Sequence, residues 1–141
     1  MRIFQIFLLT LFIFGSAFTT APVKTTSDGV QFQNLTFNEA LEVAKKENKM
    51  VFVNVYALWC GACDLMKEAT YKSKDVANVV NNNFIPISLD VEQEEGMAFA
   101  KKYEIDFHPL VMIISPDGKV QKSIFGYKKD QVLLEELKDF L

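Results

Sequence analysis

The stretch Cys60-Gly61-Ala62-Cys63 holds both cysteines of this 141-residue chain, separated by two small residues. That spacing permits an open dithiol and a closed disulfide, so the pair can pass two electrons by thiol–disulfide exchange. In such chemistry a Cys60 thiolate attacks a substrate disulfide and forms a mixed disulfide, and Cys63, one helical turn further on, attacks Cys60 and releases the substrate. Two other uses of the same residues stay open. A zinc site wants four ligands, and beyond the pair the chain offers one histidine, His108, and its carboxylates. An inert disulfide closing so small a loop would add little stability, and two adjacent cysteines make no framework tying distant segments together.

The elements around the pair favour exchange. Met50 to Ala57 is a nearly continuous apolar, β-branched run, which suits a central strand covered on both faces. The cysteines follow at its C-terminal end, the edge of the sheet where α/β proteins commonly build their sites. Behind them, Leu65, Met66, Ala69 and Thr70 suggest a helix, continued or restarted from Asp75 to Val80. A cysteine at the start of that helix meets unpaired N–H groups and the positive end of the dipole, both of which favour its thiolate. Trp59 would shield one side of the pair and offer partners an apolar surface.

The remaining elements complete an α/β pattern. Val30 to Phe32 alternates and reads as a short edge strand. Thr36-Phe37-Asn38-Glu39 is a capping-box signature, followed by an apolar stripe at Phe37, Ala40, Leu41 and Ala44. Phe84 to Leu89 reads as a second core strand and residues 93–102 as a helix. Leu110 to Ile114, the turn Ser115-Pro116-Asp117-Gly118 and Val120 to Phe125 form a hairpin, and Asp130 can cap a last helix with Leu133, Leu134, Leu137 and Phe140 inward. Strands alternating with helices, then a hairpin and a helix, predict a mixed central sheet flanked by helices on both faces. The carboxylates Asp90, Glu92, Glu94 and Glu95 read as a solvated helix start, where acids suit the dipole.

The N-terminus carries an address. Arg2, an apolar run to Phe14 and the small residues Gly15-Ser16-Ala17 have the layout of a secretory signal peptide cut after Ala17. The alternative is an uncleaved membrane anchor, for which the segment is short against the roughly 20 residues a span takes. The expected division is a signal peptide over 1–17, a linker over 18–29 and one domain over 30–141. Loss of residues 1–17 removes Arg2 and no acid, taking the net charge from −3 to −4. A mildly acidic chain lacks the concentrated basic face that nucleic acid requires.

Tyr56-Ala57-Leu58-Trp59-Cys60-Gly61-Ala62-Cys63 resembles the active-site segment of thioredoxins. Together with Phe37 to Lys45 and the strand after it, the chain is similar to thioredoxin-like disulfide reductases of the bacterial envelope, from about residue 30 to the end. The resemblance implies a thioredoxin fold and a thiol–disulfide oxidoreductase with Cys60 as nucleophile and Cys63 as resolving thiol. It implies a cis bond before Pro109 that faces Cys60, where the backbone of residue 108 would pair with a substrate strand. Trp59, Gly61, Ala62 and Pro109 would shape the docking groove. Asn54 stands where the family carries a buried Asp that helps deprotonate the second cysteine, and Ser88 where it carries a partner Lys; Asp64 replaces a residue that is often basic. His108, directly before Pro109, either lies near the Cys60 sulfur and stabilises its thiolate or only packs against the loop.

The expected protein is therefore an exported oxidoreductase, in the periplasm or another extracytoplasmic space. It would act on protein thiols and disulfides, with a dithiol protein to supply or accept electrons. No organic cofactor or metal is called for, a monomer is expected, and reduction is the preferred direction. A binding module with non-essential cysteines and a metal carrier are the alternatives.

Overall fold

The computed structural model describes residues 29–141; the expected signal peptide, and all of the expected linker except Gly29, lie outside the described residues. The first helix, α1 (Phe37–Glu47), starts where the capping box requires. Thr36 accepts from the Glu39 N–H while the Glu39 carboxylate accepts from the Thr36 N–H, and Asn48 closes the helix in the left-handed region. Strand β1 (Met50–Tyr56) follows, then α2 (Gly61–Glu68), a single 3₁₀ turn at Thr70–Lys72, and α3 (Lys74–Asn83). Next come β2 (Phe84–Asp90), α4 (Glu94–Lys102), the hairpin β3 (Leu110–Ile114) and β4 (Val120–Phe125), and finally α5 (Asp130–Leu137) with a 3₁₀ turn at Lys138–Phe140.

The strands form one mixed sheet in the order β2-β1-β3-β4. β1 runs parallel to β2, with Asn54 opposite Ser88, and antiparallel to β3, which pairs antiparallel with β4. Side chains alternate across a strand, so β1 feeds two cores. Val51, Val53 and Val55 pack with Phe37, Ala40, Ala44 and Phe99 from α1 and α4. Phe52 faces the other way, against Met66, Val76, Val80, Leu133 and Leu137 from α2, α3 and α5. This is the expected α/β thioredoxin fold, a mixed sheet flanked by helices on both faces. No helix among the described residues is long and apolar enough to cross a membrane.

Three local expectations are corrected. Val30 to Phe32 forms no strand, because Val30 N–H goes to the Tyr71 carbonyl (2.7 Å) and Gln33 N–H to the Pro86 carbonyl (2.8 Å), single bonds to two different elements rather than a ladder. The helix after the cysteines stops at Glu68, which leaves Ala69 and Thr70 outside it, and a helix restarts at Lys74 as expected; within α2, Leu65 faces solvent while Met66 enters the core. The last helix is capped at Lys129 with no side-chain hydrogen bond, which places Asp130 in its first turn rather than at the cap.

Candidate redox site

β1 ends at Tyr56, and the chain turns through Ala57-Leu58-Trp59, closed by the Cys60 N–H donating to the Ala57 carbonyl (3.2 Å). Cys60 is the N-cap of α2. Its backbone is extended (φ −91°, ψ 101°) and its sulfur accepts from the Cys63 N–H at 3.1 Å. A sulfur held there meets the orphan amides of the first helical turn, the environment that stabilises a thiolate once the disulfide opens. The two cysteines are joined as a disulfide with Cα atoms 5.2 Å apart. Both are buried, with Ala57 packed against them. Gly61 has open space where a Cβ would stand.

The rim is held by contacts from distant elements. The exposed Trp59 donates from its indole Nε1 to the Glu92 carboxylate (3.1 Å) and meets the His108 ring edge-on at 4.8 Å between centroids. Glu92 is itself placed by its N–H, which donates to the Asp90 carboxylate (3.0 Å). The His108–Pro109 peptide bond is cis, and the Pro109 carbonyl accepts from Gly126 N–H at 2.8 Å, tying this loop to the end of β4. The ring contact of His108 is with Trp59, the residue before Cys60.

On the other side of Cys63 is a cleft of about 180 Å³ whose lining includes Cys63, Asn54, Ser88, Tyr71 and Phe32. The sequence reading singled out Asn54 and Ser88, and the structure joins them: Asn54 Nδ2 donates to Ser88 Oγ (2.8 Å). Tyr71, which the sequence reading missed, donates its hydroxyl to Asn54 Oδ1 (2.8 Å). Its one signal was a tyrosine standing alone among the lysines after α2. Burial pushes the Tyr71 hydroxyl far above its ordinary range, so it remains a neutral donor. Glu92 was also missed as a partner of Trp59. Of the other acids of that stretch, Glu95 accepts from the Phe37 N–H at 2.5 Å. Among the described residues no group of three or more His, Cys, Asp or Glu side chains gathers as a metal site would.

The raised Tyr71 value has a sign. The folded state holds this proton more tightly than the unfolded chain, whose tyrosines titrate near pH 10. Stability from this group is therefore complete below about pH 10 and lost as pH rises beyond it. Tyr71→Phe is expected to cost about 1 kcal/mol at pH 7, where Asn54 Oδ1 loses its donor. Urea unfolding of both proteins at pH 7 and above pH 10 should show that gap closing; a constant gap would refute the assignment.

Comparison with known proteins fits this geometry. The profile of the thioredoxin-like domain family matches residues 37–141. The chain belongs to that family. As a thioredoxin-like domain it is 30% identical to a thioredoxin of Mycolicibacterium smegmatis over 94 residues, covering 67% of this chain and 80% of that one. A solved structure from Bacteroides thetaiotaomicron, described as a candidate disulphide-isomerase, superposes with a TM-score of 0.71 at 33% identity, covering 80% of this chain and 93% of that one. The reduced C-terminal domain of DsbD from Neisseria meningitidis superposes with a TM-score of 0.61 at 26% identity, over 73% and 92%. Other curated relatives are longer: the chain spans 60% of thioredoxin Y2 of Arabidopsis thaliana and 7% of spermatogenesis-associated protein 20 of Rattus norvegicus.

Proposed function

We propose that this thioredoxin-like domain is an exported thiol–disulfide oxidoreductase that reduces disulfides in other proteins. The observation that carries the reading is Cys60 at the N-cap of α2, its sulfur within hydrogen-bond distance of the Cys63 amide and its partner sulfur one turn behind. In the dithiol state the Cys60 thiolate attacks a substrate disulfide, forming a Cys60–substrate bond and expelling one substrate thiolate, which takes a proton from water. Cys63, deprotonated, then attacks Cys60 Sγ. The second substrate thiolate leaves, the Cys60–Cys63 bond closes, and two electrons have passed to the substrate. A second dithiol protein returns the pair to its reduced form.

The reductive direction rests on the likeness to thioredoxins and the DsbD C-terminal domain and on the small Gly61-Ala62 dipeptide. Trp59, His108 and Pro109 form the approach to Cys60, while Asn54 tunes Cys63 through the cleft behind it. Export rests on residues 1–17, with cleavage after Ala17 releasing the domain from the membrane.

Equilibration of the domain against a glutathione buffer tests the direction. A Cys60–Cys63 potential near thioredoxin's, roughly −270 mV, is expected; one near roughly −120 mV would make the protein an oxidant instead.

A further inference from the structure

We infer that the groove between the loop after α4 and the end of β4 is a second docking site, which selects client segments carrying basic residues beside apolar ones. The inference rests on the oxidoreductase reading above and names a substrate preference for it.

The groove has a volume of about 210 Å³ and is lined by Phe107, Leu110, Met112 and Phe125, with Glu104 and Asp106 among its walls. That is below the roughly 300 Å³ at which small-molecule pockets begin, and it fits one large side chain. Phe107 and Phe125 are 68% and 57% exposed, so two aromatic rings stand in water beside it. It is also continuous with the redox site. Phe107 precedes His108, whose ring meets Trp59, and Gly126, which follows Phe125, is bonded to Pro109. A client strand passing His108 on its way to Cys60 therefore has Phe107 and Phe125 next along its path.

Charge selects the client. Both ionisable groups among the groove's acidic and basic residues are carboxylates, and neither Glu104 nor Asp106 has an ion-pair partner among the described residues. Lys102, two residues earlier, lies instead over the rings of Phe37 and Tyr103.

Glu104 sits badly for the fold alone. It follows the C-cap of α4 with φ 52°, and the Ile105 N–H reaches back to the Ala100 carbonyl (2.9 Å). This is the left-handed C-terminal position that glycine fills most easily. An acid there also faces the negative end of the helix dipole. Backbone and dipole both disfavour this side chain, while a cationic client would use it.

The test separates docking from chemistry. Two labelled ten-residue peptides share apolar residues around a central Ser and differ only in two positions, Lys in one and Glu in the other. Fluorescence anisotropy with the Cys60→Ser, Cys63→Ser domain reads binding without exchange. The Lys peptide is expected to bind roughly 3- to 10-fold more tightly at low salt, the ratio shrinking as salt rises. Glu104→Gly should reduce that preference, leaving Asp106 alone to supply it, and yet raise the melting temperature by roughly 2–4 °C. Phe125→Ser, on the exposed end of an edge strand, should weaken both peptides. Equal binding by the parent domain, or a preference undiminished by Glu104→Gly, would overturn the inference. So would self-association through Phe125 with no peptide bound. Charge preference without disulfide reduction by the unmutated domain would instead keep the groove and sink the oxidoreductase reading.

Discussion

Cys60→Ser is expected to abolish reduction of a protein disulfide, by roughly 10³-fold or more, because a serine hydroxyl at neutral pH supplies no comparable nucleophile. Cys63→Ser should lose turnover just as completely and for a different reason. Cys60 can still attack, but nothing one turn behind it can break the mixed disulfide, so the covalent adduct accumulates. The two variants differ in what non-reducing electrophoresis displays after mixing with a disulfide-bonded substrate: a trapped, reductant-sensitive adduct for Cys63→Ser and none for Cys60→Ser. Exposure does not make this assignment, since the two cysteines are 7% and 6% exposed. It comes from their places on α2, with Cys60 at the cap and Cys63 inside the first turn. An adduct formed by Cys60→Ser and not by Cys63→Ser would reverse the roles. Equal reductase activity in both variants and the parent would remove the cysteines from function altogether.

Gly96→Ala should be the most damaging single-atom addition among the described glycines. A Cβ at residue 96 would lie 1.8 Å from the Asp90 carbonyl oxygen and 2.4 Å from its carbon, so the backbone itself must move. Small-to-large changes in a packed interior cost about 1–3 kcal/mol, and a clash with main chain falls at the upper end or beyond. For a domain of this size about 3 kcal/mol lowers the melting temperature by well over 10 °C. The damage should reach the redox site as well. Asp90 holds Glu92, and Glu92 holds the Trp59 indole, so pushing α4 off the end of β2 loosens the rim beside Cys60. Thermal unfolding and Trp59 fluorescence together check this. A variant that melts like the parent would mean that α4 does not pack on the Asp90 backbone as described.

Local signals carried most of the fold. The capping box of α1 is complete within four residues, and the hairpin turn is closed by the Gly118 N–H on the Ser115 carbonyl. The apolar run of β1 announced a strand covered on both faces, as its two cores confirm. What escaped depends on residues far apart in the chain. Tyr71 is 17 positions from Asn54 and Glu92 is 33 from Trp59; no periodicity links either pair, and only the crossover from β1 to β2 brings them together. Val30 to Phe32 misled for the opposite reason. Its alternation is real, but the neighbouring edge offers one carbonyl from each of two elements instead of a strand to pair with.

Gly61 stands in contrast to Gly96, since a side chain there would enter open space. The residue between the cysteines is therefore free of the packing that constrains the rest of α2, and its chemistry can vary while the scaffold stays as it is. A positive, negative or bulky group at 61 would alter the local field felt by the Cys60 sulfur without repacking the core. Electron affinity and thermal resistance are then separable properties of this molecule, adjustable through different residues. A chain of this design could have its redox potential shifted by one surface substitution, with no new fold required.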